Sequence, residues 1–224
     1  MSVPETSSLA PSATVNSDHP DIVAYAGRLT QGITDVREQA VALYYGVRDD
    51  IRYDPYSFNI DPKSFAADVT LKAGVGWCVP KAILLAACCR AVGLHARLGF
   101  ADVKNHLSTE RLRQAMKTDV FHWHGYTSIY LDGKWVKATP AFNIQLCDKF
   151  GLKPLEFDGR EDSIYHEFDR AGNRHMEYIR ERGEYDDLPF DEMMTLFRDV
   201  YGGMLDSNDF EAASFDADVD AENS

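Results

Sequence analysis

Gly74-Val75-Gly76-Trp77-Cys78-Val79-Pro80-Lys81-Ala82 is the stretch on which the fold turns. Two glycines let the backbone turn sharply ahead of the cysteine. An apolar run follows, from Ala82 through Ile83, Leu84, Leu85, Ala86 and Ala87 to Cys88, and it reads as a buried helix. Pro80 suits a first helical turn, where a missing N–H costs nothing, and Gly93 is placed to end the helix. Cys78 therefore falls at a helix N-terminus, where free N–H groups and the helix dipole favour a thiolate. The competing reading is a small buried hydrophobe, the usual fate of a free cysteine. A phosphate loop is rejected: the dinucleotide fingerprint lacks its third glycine, and no Gly-Lys-Ser/Thr follows.

Outward from this stretch the chain divides by composition. Residues 1–17 are Ser/Pro/Thr-rich and read as a disordered arm, without the basic and apolar regions of a secretory signal. Residues 18–205 read as one domain, with a motif-bearing core over about 48–143 and an extension over 144–205. Residues 206–224 carry only acidic charge and read as a disordered tail. The 224 residues carry a net charge of -13, which argues against a nucleic-acid partner. No apolar run has the length of a membrane span. The four cysteines, with Cys88 and Cys89 adjacent, make a poor disulfide framework and fit a reducing cytoplasm.

Helical apolar spacing appears over 21–29 and 35–53, the second with Thr34 as its cap, and a short helix is expected over 64–72 with Ser64 as its cap. Alternation over 94–101 predicts a strand. So does the run from Val120 to Leu131, which returns through an Asp132-Gly133 turn into Lys134-Trp135-Val136-Lys137-Ala138. Residues 152–185 read as polar, turn-rich connection. Its His166, Asp169 and His175 are expected to be solvated groups rather than a metal site. Residues 191–205 read as an amphipathic helix.

His122 and His124 are two apart on a strand and so share a face, with Trp123 and Gly125 opposite. An imidazole within reach of Cys78 would accept its proton, and a third group would hold that imidazole in the useful tautomer. Cys78, His122 and His124 could instead bind zinc.

The run from Arg48 to Asn143 resembles the transglutaminase-like superfamily, a papain-like thiol fold. The resemblance rests on Gly76, Cys78, Ala82 and Leu85, on Arg90-Ala91-Val92-Gly93-Leu94-His95-Ala96-Arg97, and on the spacing from His124 to Asp132-Gly133-Lys134-Trp135-Val136. It implies an α+β fold, a nucleophile helix packed on an antiparallel sheet, and no cofactor. It implies Cys78 as nucleophile and His124 as the catalytic imidazole. Tyr126 stands where the family has Trp, and Thr139, before Pro140, stands where the family has Asp. Thr139 or Asn143 is then left to orient the imidazole. The activity implied is acyl transfer on a peptide or glutamine-like amide, with hydrolysis favoured as in many bacterial members, and with Cys78 N–H and a donor from Trp77 or Tyr53 holding the oxyanion. Trp77, Tyr53, Tyr56, Trp123 and His122 are the expected substrate-binding residues, and Phe121 would add to the same aromatic cleft. The alternatives are a member that has lost catalysis and binds a peptide or partner, and a Cys/His metal site. The oligomeric state is not readable.

Overall fold

A computed structural model describes residues 4–105, 108–164, 170–172, 175–205, 210 and 213–222. At its centre lies helix α4 (Cys78–Ala91), buried along its whole length from Cys78 to Arg90. That total burial is why its apolar residues show no one-sided pattern. Its end is closed by Gly93, whose φ of +85° few other residues adopt. The N–H of Gly93 donates to Arg90 O, and that of Leu94 to Cys89 O.

Three helices surround α4: α1 (Pro20–Leu29), α2 (Val36–Asp50) and α3 (Ala67–Ala73). Helix α2 is capped by Asp35, whose carboxylate accepts the N–H groups of Arg37 and Glu38, and not by Thr34. It stops earlier than expected, because Arg52–Tyr53 (β1) pairs in parallel with Val75–Gly76 (β2). The residues expected to open a helix at Ser64 form instead a 3-10 turn, Pro62–Phe65, capped by Asp61.

The other layer is a four-stranded antiparallel sheet in the order β5-β4-β3-β6. Its strands are β3 (Ala96–Asn105), β4 (Val120–Leu131), β5 (Lys134–Ala138) and β6 (Met176–Tyr185). Asp132 and Gly133 have φ of +49° and +86°, which suits the tight turn joining β4 to β5. Helix α4 packs against β4, and the Thr127 hydroxyl donates to Ala82 O at 2.8 Å. Helix α5 (Glu110–Met116) sits between β3 and β4, α6 (Ile144–Lys149) follows β5, and α7 (Phe190–Leu205) packs on α5. The α+β class and the helix-on-sheet arrangement are as expected.

Three expectations are corrected. The residues of the arm that are described, 4–17, are packed: Ser8 and Val15 are fully buried, and Arg90 donates to Ala10 O at 2.7 Å. The supposed connection over 152–185 ends in β6, which pairs with β3 from Leu98↔Tyr185 to Asn105↔Met176. As an edge strand with most of its charged side chains outward, Arg182 excepted, it lacks the apolar alternation by which strands are recognised. Within the acidic tail, Phe215–Glu222 forms α8, with Phe215 and Val219 buried and with Asp216, Asp218 and Asp220 on Arg52, Arg111 and Lys149.

Candidate active site

Cys78 opens α4 with no side chain capping the helix, so its first N–H groups are free for other partners. The backbone N–H groups of Gly125, Val79 and Cys78 itself act on the sulfur in favour of its thiolate. Gly125 is required by this approach: a Cβ there would stand 3.0 Å from Val79 Cα and 3.3 Å from Cys78 O. Burial nevertheless pushes the Cys78 thiol up to about 11, outweighing those donors. This corrects the thiolate expected from the helix terminus: the resting group is the neutral thiol.

Cys78 borders a small cavity whose walls are almost wholly apolar. Tyr53, Trp77, His122, His124 and Phe121, all singled out in the sequence, border it too. Tyr56 does not; its hydroxyl is held by Thr109 and by Asp218, and its ring by Phe210 and Phe215. Trp123 does not either, and packs on Phe100, Tyr185 and the guanidinium of Arg182. The far wall comes from α7 through Phe197, Tyr201 and Met204, so part of the extension covers the cleft.

His124 is 4% exposed, and its Nε2 is buried without a hydrogen-bond partner. With no counter-charge, burial pulls its pKa down to about 4, so the imidazole is neutral at pH 7. Neither expected orienting residue reaches it. The Thr139 hydroxyl donates to Ile164 O at 2.7 Å. Asn143 accepts the Tyr53 N–H at 3.0 Å and donates to Gln145 at 2.8 Å.

His122 is in the opposite situation. Its Nδ1 lies 3.1 Å from Asp102 Oδ2. Asp102 sits on β3 with its side chain 5% exposed, and accepts Arg182 Nε at 2.5 Å and a terminal Arg182 nitrogen at 2.7 Å. It also accepts the Trp123 N–H at 3.2 Å. Burial alone would raise this carboxyl; Arg182, His122 and the Trp123 N–H together hold it below the usual range. The ladder explains the contact: Ala101 pairs with His124 and Val103 with Phe121, so Asp102 faces both His122 and Trp123 across a bulge. Trp123 takes up the extra residue at φ +58°. Sequence reading missed Asp102, Arg182 and Tyr201. Only Asp102 left a trace, as a charge inside the apolar run from Phe100 to Val103.

Among the described residues, no three His, Cys, Asp or Glu side chains are gathered as a metal site, which counts against the zinc alternative. His166 and Asp169 lie outside the described residues, and His175 is buried against Phe142. No described helix is long and apolar enough to cross a membrane.

Comparison with solved structures returns a candidate cysteine protease from Cytophaga hutchinsonii, at 18% identity and a TM-score of 0.47, covering 80% of this chain and 53% of that one. It also returns a candidate protease from Parabacteroides distasonis, at 15% identity and a TM-score of 0.39, covering 61% of this chain and 26% of that one. The chain thus spans about half the length of the first and a quarter of the second. No curated protein matches. The model of the Transglutaminase-like superfamily matches residues 23–140, more than half of the chain and all of α4, β3, β4 and β5. On that match, with a cysteine opening the central helix against the sheet, the chain belongs to the transglutaminase-like superfamily.

Proposed function

We propose that this protein is a cysteine-dependent acyl-transfer enzyme acting on an amide or ester, with hydrolysis as its outcome. Cys78 is the nucleophile and one of the two β4 imidazoles at the cavity, His122 or His124, carries its proton; His124 is the one that the family resemblance suggests. One observation carries the reading. Cys78 opens α4 with no side chain capping the helix, and borders a cavity that two imidazoles also border.

Neither Cys78, whose thiol stands at about 11, nor His124, whose imidazole stands at about 4, carries a charge at rest. Proton transfer then accompanies attack, as in a serine hydrolase, rather than preceding it. Sγ bonds to the carbonyl carbon as its proton passes to the imidazole. The N–H of Cys78 is a donor for the oxyanion. The bond to the leaving group breaks as the imidazolium returns that proton. Water then gives a proton to the imidazole and cleaves the thioester, and the thiol is restored. The walls formed by Phe58, Trp77, Phe121 and Phe197 suit an apolar acyl group better than a charged one.

A second reading has its own support. His124 Nε2 has no hydrogen-bond partner, and the Thr139 hydroxyl donates to Ile164 O, as in a member that binds a peptide but no longer turns it over. Incubation with p-nitrophenyl acetate, followed by intact mass and peptide mapping, separates the two. An acetyl group that appears on Cys78 and is lost again in water supports the enzyme. Absence of any adduct, or an adduct that never turns over, supports the binding protein.

A further inference from the structure

The two imidazoles at the cavity differ in what happens when they gain a proton. At His124 the new charge would be buried, with no acid beside it, and ionisation there is costly. At His122 the new charge would lie against Asp102, 3.1 Å from Nδ1. A catalytic base working with a neutral thiol must pass through imidazolium, so this difference decides which ring can serve.

The surroundings of His122 also fix its tautomer. An ionised carboxylate only accepts hydrogen bonds. Asp102 stays ionised because Arg182 grips both its oxygens. The acceptor-only Asp102, 3.1 Å from His122 Nδ1, outweighs the donor-only Arg182 nitrogen at 3.5 Å, so Nδ1 carries the hydrogen and the lone pair is left on Nε2. The groups on the ring are Asp102 from β3, Arg182 from β6 with a nitrogen 3.5 Å from Nδ1, and Tyr201 from α7, while Cys78 and His124 line the same cavity. Tyr201 does not compete for the ring: its hydroxyl accepts the backbone N–H of His122 at 2.9 Å and donates to Val120 O at 2.8 Å. The bulge that brings Asp102 opposite His122 is held at the expense of a tryptophan at φ +58°. Such strain in a bulky residue persists where the surroundings over-determine it, and it concentrates at functional sites.

We propose that His122 and Asp102 are the proton-transfer pair for Cys78, with Asp102 supplying from β3 the acid that the family position at Thr139 lacks. The inference rests on the acyl-transfer reading above. His122 Nε2 takes the Sγ proton as the carbon–sulfur bond forms, and returns it to the leaving group as the bond to that group breaks. In the second half it takes a proton from water and gives it back to Sγ. Arg182 is a positioning residue that keeps Asp102 ionised and aimed. His124 remains a neutral polar part of the wall.

The test is the rate of Cys78 acetylation by p-nitrophenyl acetate in the wild type, Cys78→Ser, His122→Gln, Asp102→Asn and His124→Gln. Folding is checked by circular dichroism, and the ring nitrogens of His122 are read by ¹⁵N NMR in the wild type. The expected result is a loss of about 100-fold or more in His122→Gln and Asp102→Asn, against less than about tenfold in His124→Gln. An Asn at 102 can donate to Nδ1 and so favour the wrong tautomer, so the rate–pH profile of Asp102→Asn should change shape as well as height. The NMR readout needs no variant: in the neutral ring Nδ1 should carry the hydrogen and Nε2 should be bare. A large loss confined to His124→Gln, or an Nε2–H tautomer at His122, would overturn the assignment while leaving Cys78 as nucleophile. No acetylation of wild-type Cys78 would instead remove the acyl-transfer reading and this inference with it.

Discussion

A Cβ built on Gly125 would lie 3.0 Å from the Cα of Val79, so β4 touches the first turn of α4 backbone to backbone. Neither partner is the loose end of a side chain that could swing aside. Gly125→Ala must therefore push the strand and the helix apart, at a cost of about 1–3 kcal/mol as overpacking typically does. It should also remove the Gly125 N–H from Cys78 Sγ. The expected result is a lower denaturation midpoint together with a changed alkylation rate at Cys78. A variant as stable as the wild type would show that the approach is looser than this geometry requires.

Cys78 chemistry should depend steeply on pH. Its thiol is raised to about 11 in the folded protein, so the reactive thiolate is scarce at pH 7 and grows about tenfold per pH unit up to that value. Iodoacetamide alkylation of Cys78 should be slow at pH 7 and still climbing at pH 9.5, where an ordinary free thiol has levelled off. A plateau by pH 7 would indicate a preformed thiolate–imidazolium pair and contradict the neutral resting state. Linkage runs in the same direction. The unfolded thiol ionises at lower pH than the folded one, so Cys78 weakens the fold as pH rises above about 9.

The parts of the site that could be read in advance were those written in local sequence. Two glycines, a cysteine and an apolar run specify α4 within a dozen residues, and Asp132-Gly133 specifies a hairpin. Asp102, His122 and Arg182 could not be joined in the same way. Arg182 is 80 positions from Asp102, and the bulge that turns Asp102 toward His122 leaves no mark in the alternation of either strand. The thiolate expectation failed for a related reason. A helix N-terminus is a local property, but the burial that opposes it comes partly from Phe197 and Tyr201 of α7, more than a hundred residues away. Strand β6 was missed because an edge strand with most of its charges outward has the composition of a loop.

Lys81 carries a prediction of its own. It is fully buried one turn into α4, and its Nζ donates to Arg48 O at 2.9 Å and to Ile51 O, at the end of α2. Burial pulls its pKa from 10.5 down to about 7, against a smaller opposing effect of Asp49. Between these values the unfolded chain holds a proton that the folded chain has released, so stability rises with pH on this account. From pH 7 to 8.5 the gain should reach up to about 2 kcal/mol, at 1.36 kcal/mol per pH unit. Urea denaturation across that range should show the rise in wild type and lose it in Lys81→Met. The slope is the readout, because the variant also strands two carbonyls and will be weaker at every pH. Equal slopes would mean that Lys81 stays protonated when folded.

The docking of α8 sets apolar contact against charge. Asp216, Asp218 and Asp220 pair with Arg52, Arg111 and Lys149, but most of these groups are substantially exposed, and such pairs contribute about 0–1 kcal/mol each and less in salt. Phe215 is 3% exposed and lies edge-on to Tyr53 and Tyr56, with ring centroids 5.9 and 5.3 Å away. Removing a buried phenylalanine costs about 3–5 kcal/mol, so the ring should hold the helix and the charges should only align it. Hydrogen exchange over 215–222 should therefore rise sharply in Phe215→Ala and only modestly for the wild type in 1 M NaCl. Tyr53 also borders the Cys78 cavity. Release of α8 should thus loosen that wall and quicken alkylation of Cys78 in Phe215→Ala more than salt does. If salt alone frees the helix, the ion pairs carry the docking and the aromatic contact is secondary.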